Sequence, residues 1–459
     1  MSNPGDGDAT PITSIRQLAD HIAAGCKPAA EFRIGTEHEK FGFRLDDLRM
    51  PPYAPDEGQP GSIRDLLAGL GRFDASPILD DGNTIGLKQG GASVSLEPAG
   101  QLELSGAPLE TLHETRAEFD THFQQVRAVS GDLRLGFAPL GFHPVAARGA
   151  MPWMPKGRYA IMRRYMPLVG SMGLDMMTRT CTVQVNLDYA SEQDMLRKLR
   201  VSLLLQPLAT ALFANSPFTE GKPNGFQSFR GQVWTDTDNQ RSGIPAVMFE
   251  DGFGFERYAR WLVDSVPMYF VYRDGRYIDV AGASFRDYMD GKIAALAGET
   301  ATVGDFADHM TTVFTDVRIK RFLEMRGADA GRPDMMLAQS ALWVGLLYDD
   351  AALTAAEALL RGATWDDAVT FRAAVPRQGL SAAWRGGSAR DLARDVVAIA
   401  RDGLRARARF DAGGADESVY MNPLMEIVAG GPSQAAFWLD RFHGAWRGDV
   451  TQIFDEAMI

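Results

Sequence analysis

Arg33-Ile34-Gly35-Thr36-Glu37-His38-Glu39-Lys40-Phe41-Gly42-Phe43 is the stretch on which the fold turns. Its apolar ends and alternating character predict a strand rather than a helix. Residues two apart on a strand point to one face, roughly 6.5–7 Å from each other. Glu37 and Glu39 therefore project side by side, with Arg33 and Gly35 on the same face. Two carboxylates so placed repel each other and lose hydration unless a cation sits between them. Hard, oxygen-seeking Mg²⁺ suits that position. Ordinary surface charges on a solvated strand face would look the same from these residues alone.

The chain has 459 residues, 45% of them hydrophobic, enough for a large core. A tail over residues 1–10, Gly- and Asp-rich, is expected to fray, leaving a single catalytic domain over 11–459. The formal charge of -12 argues against a partner such as nucleic acid held by bulk charge. There is no apolar run long enough to cross a membrane, and the N-terminus lacks a basic-then-apolar signal, so a soluble cytoplasmic protein with no membrane partner is expected. Cys26 and Cys181 make neither a disulfide framework nor a metal motif, and the seven histidines lack zinc spacing.

Two further segments carry acidic residues. Ser93-Val94-Ser95-Leu96-Glu97 and Gln101-Leu102-Glu103-Leu104-Ser105 alternate on either side of Pro98-Ala99-Gly100, which predicts a bulge or tight bend. Parity across such a break is unreliable, so spacing does not decide whether Glu97 and Glu103 meet. In Arg318–Asp329, read as a strand, Glu324 and Arg326 share a face; alone they would form a structural ion pair. Thr180–Asp188 alternates most cleanly: Cys181, Val183, Val185 and Leu187 on one face, Gln184 and Asn186 among the polar residues of the other, which faces a wet cavity or open solvent, the amides favouring the cavity. Met151–Met166 gathers Trp153, Lys156, Arg158, Tyr159, Arg163, Arg164 and Tyr165, a basic-aromatic cluster suited to an anion or to a solvated helix face.

The remaining punctuation is conventional. Ser191 with Asp194 opens a helix that contains Pro207, and Asp274-Gly275 predicts a hairpin turn. Thr219–Gly243, with Arg230, Asp236, Asp238 and Arg241 among Gly, Asn and Gln, predicts a mobile covering loop. Beyond residue 340 the pattern is helical.

Taken together, Gly35-Thr36-Glu37-His38-Glu39-Lys40-Phe41-Gly42, Ser95-Leu96-Glu97-Pro98 with Gln101–Pro108, Arg179–Asp188 and Glu324–Asp329 resemble plant-type glutamate–cysteine ligase, a form also found in proteobacteria. The resemblance runs in order from about Ile15 through Leu347. It implies an α+β, glutamine-synthetase-like architecture: a curved antiparallel sheet lining a funnel-shaped active site, helices outside and a helical C-terminal part. It also implies ATP-dependent joining of the L-glutamate γ-carboxylate to the L-cysteine amine, with Mg²⁺ as cofactor and ATP as co-substrate. By likeness, Glu37, Glu39, Glu97, Glu103 and Glu324 fall where carboxylates ligate magnesium. Glu39 and Arg326 are the catalytic candidates, with Arg326 on the transferred phosphate. Gln184, Asn186, Arg179, Arg158, Arg163 and Arg164 are candidates for binding substrate or ATP. A monomer or homodimer is expected.

The residues fit such chemistry independently. A carboxylate must be activated before an amine attacks it, and phosphoryl transfer asks chiefly for positioning and charge neutralisation. No GxxxxGK[ST] motif and no Ser/His or Cys/His nucleophile arrangement is present. A related carboxylate–amine ligase with another acceptor, and a non-catalytic nucleotide-binding protein on the same scaffold, remain as alternatives.

Overall fold

A computed structural model describes residues 7–55 and 61–459. The decisive stretch forms the strand Ile34–Arg44, and the rest of a nine-stranded sheet is built on both its edges. On one edge it pairs with Leu102–Ser105, which leads through Ala92–Leu96 and Asn83–Gln89 to the edge strand Ser76–Asp80. On the other it pairs with Thr182–Leu187, followed by Leu323–Asp329 and Val317–Ile319. Its last residues pair with Leu135–Ala138. Every pairing in this sheet is antiparallel, as expected for a meander whose two faces meet different surroundings.

Alternation divides those faces. Val183, Val185 and Leu187, with Leu102, Leu104 and Met325, are buried in the main apolar core. Against that side pack the helices Leu112–Ser130 and Pro333–Leu347. The same core extends to Leu424 and Val428, so the C-terminal helices share it with the sheet. A second cluster seats Trp438, Trp446 and Phe454 against Phe41 and Phe43.

The apolar side also holds His38 and Lys40, both fully buried. Lys40 Nζ lies 3.2 Å from His38 Nδ1, and the His38 ring meets Phe119 at 4.6 Å between centroids. Burial lowers the Lys40 pKa to about 7.

Most expected elements appear near their predicted bounds. Asp274 and Gly275 both take positive φ in the hairpin Phe270–Asp279, the backbone of a type I′ turn. Two expectations need correction. Within Thr219–Gly243 the chain is not a mobile cover: Asp238 and Arg241 are completely buried, joined at 2.6 Å, and Arg230 is buried on the short helix Phe229–Val233. Arg241 is satisfied by Asp238 and by the Thr312 and Pro267 carbonyls, and Arg230 donates to the Arg326 carbonyl, which composition alone disguises. Of the tail over 1–10, residues 1–6 lie outside the described residues, but the Asp8 and Thr10 carbonyls accept hydrogen bonds from Gly304 and Val303. No helix among the described residues is long and apolar enough to cross a membrane.

Candidate active site

Strand register sets the site. Glu39 stands directly opposite Glu103 on the neighbouring strand, and Ser95 stands opposite Glu103 on the next. The bend at Pro98-Ala99-Gly100 brings Glu97 back over the same face. Gln101 braces that bend with its side chain: Oε1 accepts from the Ala99 N–H, and Nε2 donates to the Met177 and Thr180 carbonyls. Carboxylate oxygens of Glu39, Glu97 and Glu103 consequently lie within 4.8 Å of one another. The convergence that spacing could not decide is therefore real.

The three carboxylates crowd one another. Glu39 accepts from the Thr182 N–H and Glu103 from the Ser95 hydroxyl, each at 2.9 Å. Burial, then the charges of Glu97 and Glu103, push the Glu39 carboxyl well above its ordinary range. Burial and Glu103 push Glu97 up to about 7. Three crowded carboxylates on one face fit a hard divalent cation, which would relieve the repulsion that raises Glu39 and Glu97.

Glu37 and Glu324 differ. Glu37 accepts from Asn186 Nδ2 at 2.8 Å and Gln184 Nε2 at 3.2 Å, so the predicted amide face of Thr182–Leu187 does line the site. Glu324 has no exposed surface. Arg318 grips both its oxygens, Arg326 reaches it at 3.1 Å and Lys320 at 3.7 Å. Burial alone would raise Glu324, but those three cations outweigh it and hold the carboxyl far below the usual range. Its geometry is that of an anchor for arginines, whereas likeness had grouped it with the metal ligands.

The arginines divide too. Arg158, Arg230, Arg318 and Arg326 line the cavity that contains Glu37, Glu39, Glu97 and Glu103. Arg326 donates to Gln184 and reaches the cavity where the register shifts between Met325 and Ala328. Three expected binders do not converge there. Arg163 is exposed over the Trp153 ring, Arg164 is exposed and pairs with Asp279, and Arg179 is buried in ion pairs with Asp175 and Glu220. The sequence reading gave Arg230 no role, because it sat in a stretch read as a loop. Buried, with Nε lacking a partner among the described residues, it lines the cavity together with the acidic group and with Arg158 of the helix Gly157–Tyr165.

The same overall fold is found in a solved glutamate–cysteine ligase. The crystal structure of the Francisella tularensis enzyme in complex with AMP superposes with a TM-score of 0.55 at 12% identity, covering 93% of this chain and 87% of that one. The family follows from sequence: residues 33–456 match glutamate-cysteine ligase family 2, and the chain belongs to that family. It is 49% identical to the chloroplastic glutamate–cysteine ligase B of Oryza sativa over 98% of this chain and 88% of that one. It is equally identical to the chloroplastic enzyme of Nicotiana tabacum, covering 98% and 84%. It is thus an enzyme of the ATP-dependent ligases that form γ-glutamylcysteine, the step that opens glutathione synthesis. The same names correct one expectation: the relatives are chloroplastic, so the cytoplasmic location read from a soluble composition does not hold.

Proposed function

We propose that this chain performs that ligation through a γ-glutamyl phosphate, with Glu39, Glu97 and Glu103 holding Mg²⁺. The observation that carries the reading is the meeting of these three carboxylates on one sheet face beneath an arginine rim. Mg²⁺ held there by Glu39, Glu97 and Glu103 would supply charge neutralisation for the ATP phosphates.

The chain's own residues do the positioning. Arg326, Arg230 and Arg158, which line the cavity, would meet the charge of the transferring phosphoryl group and of the substrate carboxylates. Glu324 fixes Arg318 and Arg326, so their guanidiniums are oriented before substrate arrives. Gln184 and Asn186 hold Glu37 at the edge of the acidic group. The glutamate γ-carboxylate oxygen attacks the ATP γ-phosphorus and ADP leaves. The cysteine amine then attacks the acyl carbon, expelling inorganic phosphate and losing a proton as the amide forms. No residue need become covalently attached.

Phosphate release measured against glutamate, cysteine and ATP, singly and together, with product mass, tests this. Release requiring all three and a γ-glutamylcysteine product is expected. Equal turnover with another amine in place of cysteine would move the chain to a different acceptor.

A further inference from the structure

Two arginines enter the cavity from separate supports: Arg230 from the helix Phe229–Val233, and Arg326 from the bulged strand Leu323–Asp329. Arg372, on the outer helix Trp365–Gln378, grips both supports at once. Its Nε donates to Asp316 Oδ2 at 2.7 Å. One terminal nitrogen donates to Asp316 Oδ1 and to the Trp234 carbonyl, each at 3.1 Å. The Trp234 N–H closes the helix by donating to the Arg230 carbonyl at 3.2 Å. The Asp316 carbonyl accepts from the Arg326 N–H at 3.1 Å, beside the register shift. Arg230 itself donates to the Arg326 carbonyl at 2.9 Å, closing the loop.

Arg372 does not line the acidic cavity; with Arg230, Arg326 and Trp234 it borders a small annex next to it. Its side chain and that of Asp316 are 18% and 14% exposed, so the fork is only partly screened by water. Arginine's rigid planar fork can hold a carboxylate and a carbonyl together, whereas a lysine ammonium offers one point of charge. A displacement of about 1 Å at reacting groups can cost about 10²-fold in rate.

We propose that Arg372 is a positioning residue for the ligase reaction: its fork on Asp316 and the Trp234 carbonyl sets the spacing of the Arg230 and Arg326 guanidiniums. The inference rests on the function proposed above. It assigns to the C-terminal helices a part in the chemistry beyond filling the core.

Steady-state kinetics on Arg372→Lys, Arg372→Met and the isosteric Asp316→Asn would test it. Arg197→Met is the control, since Arg197 makes a comparable fork on Glu357 and Asp350 without lining the cavity. With the folded fraction measured by circular dichroism, Arg372→Lys and Asp316→Asn should each lower kcat/KM for glutamate about 10- to 100-fold. Arg197→Met should lose melting temperature at unchanged kcat/KM. An Arg372→Lys enzyme with wild-type kcat/KM would overturn the inference, as would a loss per folded molecule that Arg197→Met matches. If Arg372→Met does not fold, the other two variants decide. Wild-type protein that forms no γ-glutamylcysteine would instead overturn the proposed function.

Discussion

Glu39 and Glu103 face each other across two antiparallel strands, among the described residues the one register position where a pair of acids is opposed. Like charges directly opposite destabilise a sheet, so the fold carries a cost here that a bound cation relieves. Glu39→Gln should therefore reduce ligase activity by more than about 100-fold, since even outer-shell changes cost 10–100-fold at metal sites. The metal-free variant should melt no lower than wild type. Kinetics with Mg²⁺ titration, alongside calorimetry, reads both.

Glu324 is expected to show the opposite balance. Removing one partner of a buried ion pair leaves the other uncompensated and costs about 3–5 kcal/mol. Glu324→Gln and Arg318→Met should therefore lower the denaturation midpoint strongly, where Glu39→Gln does not. Urea unfolding of the three variants makes the comparison.

Protonation should be linked to metal. Glu97 is raised from 4.5 to about 7, first by burial and then by Glu103. A raised carboxyl favours its neutral form in the fold, so its contribution to metal-free stability is complete below about pH 4.5 and is lost as pH rises through about 7. Binding a divalent cation must expel that proton. Apparent Mg²⁺ affinity should accordingly rise with pH up to about 7 and flatten above, and calorimetry in buffers of different ionisation enthalpy should detect proton release. Glu97→Gln should weaken this pH dependence, leaving the part that the raised Glu39 carboxyl contributes.

Among the arginines, exposed Arg163 and Arg164 should be replaceable by alanine with changes within about 0.5 kcal/mol in stability and unaltered KM for every substrate. Arg230→Met should instead raise the KM for glutamate or lower kcat by at least about tenfold, consistent with loss of a charge-assisted contact.

Much of this was legible in the residues. The alternation of Thr182–Leu187 separates Gln184 and Asn186 from Val183 and Val185, and the structure keeps that division. The neighbouring strand hid more. His38 and Lys40 look like ordinary polar positions, yet they lie in the apolar layer, where helix residues Phe119 and His122 from far along the chain meet them. Glu97 could not be placed, because its direction depends on the Pro98–Gly100 bend and on Gln101 bonding to a distant segment. Arg230, Asp238 and Arg241 read as solvent-loving loop residues because their burial depends on distant partners, the Arg326 carbonyl, the Tyr269 hydroxyl and the Pro267 carbonyl respectively. Arg179 was drawn in by its place beside a conspicuous strand, but Asp175 and Glu220 already occupy it.

The most direct measurement is an anomalous-scattering map from crystals grown with Mn²⁺ and ATP. A peak coordinated by Glu39, Glu97 and Glu103, lost in Glu39→Gln crystals, is the predicted result. Manganese bound elsewhere, with those three side chains left uncoordinated, would contradict the account.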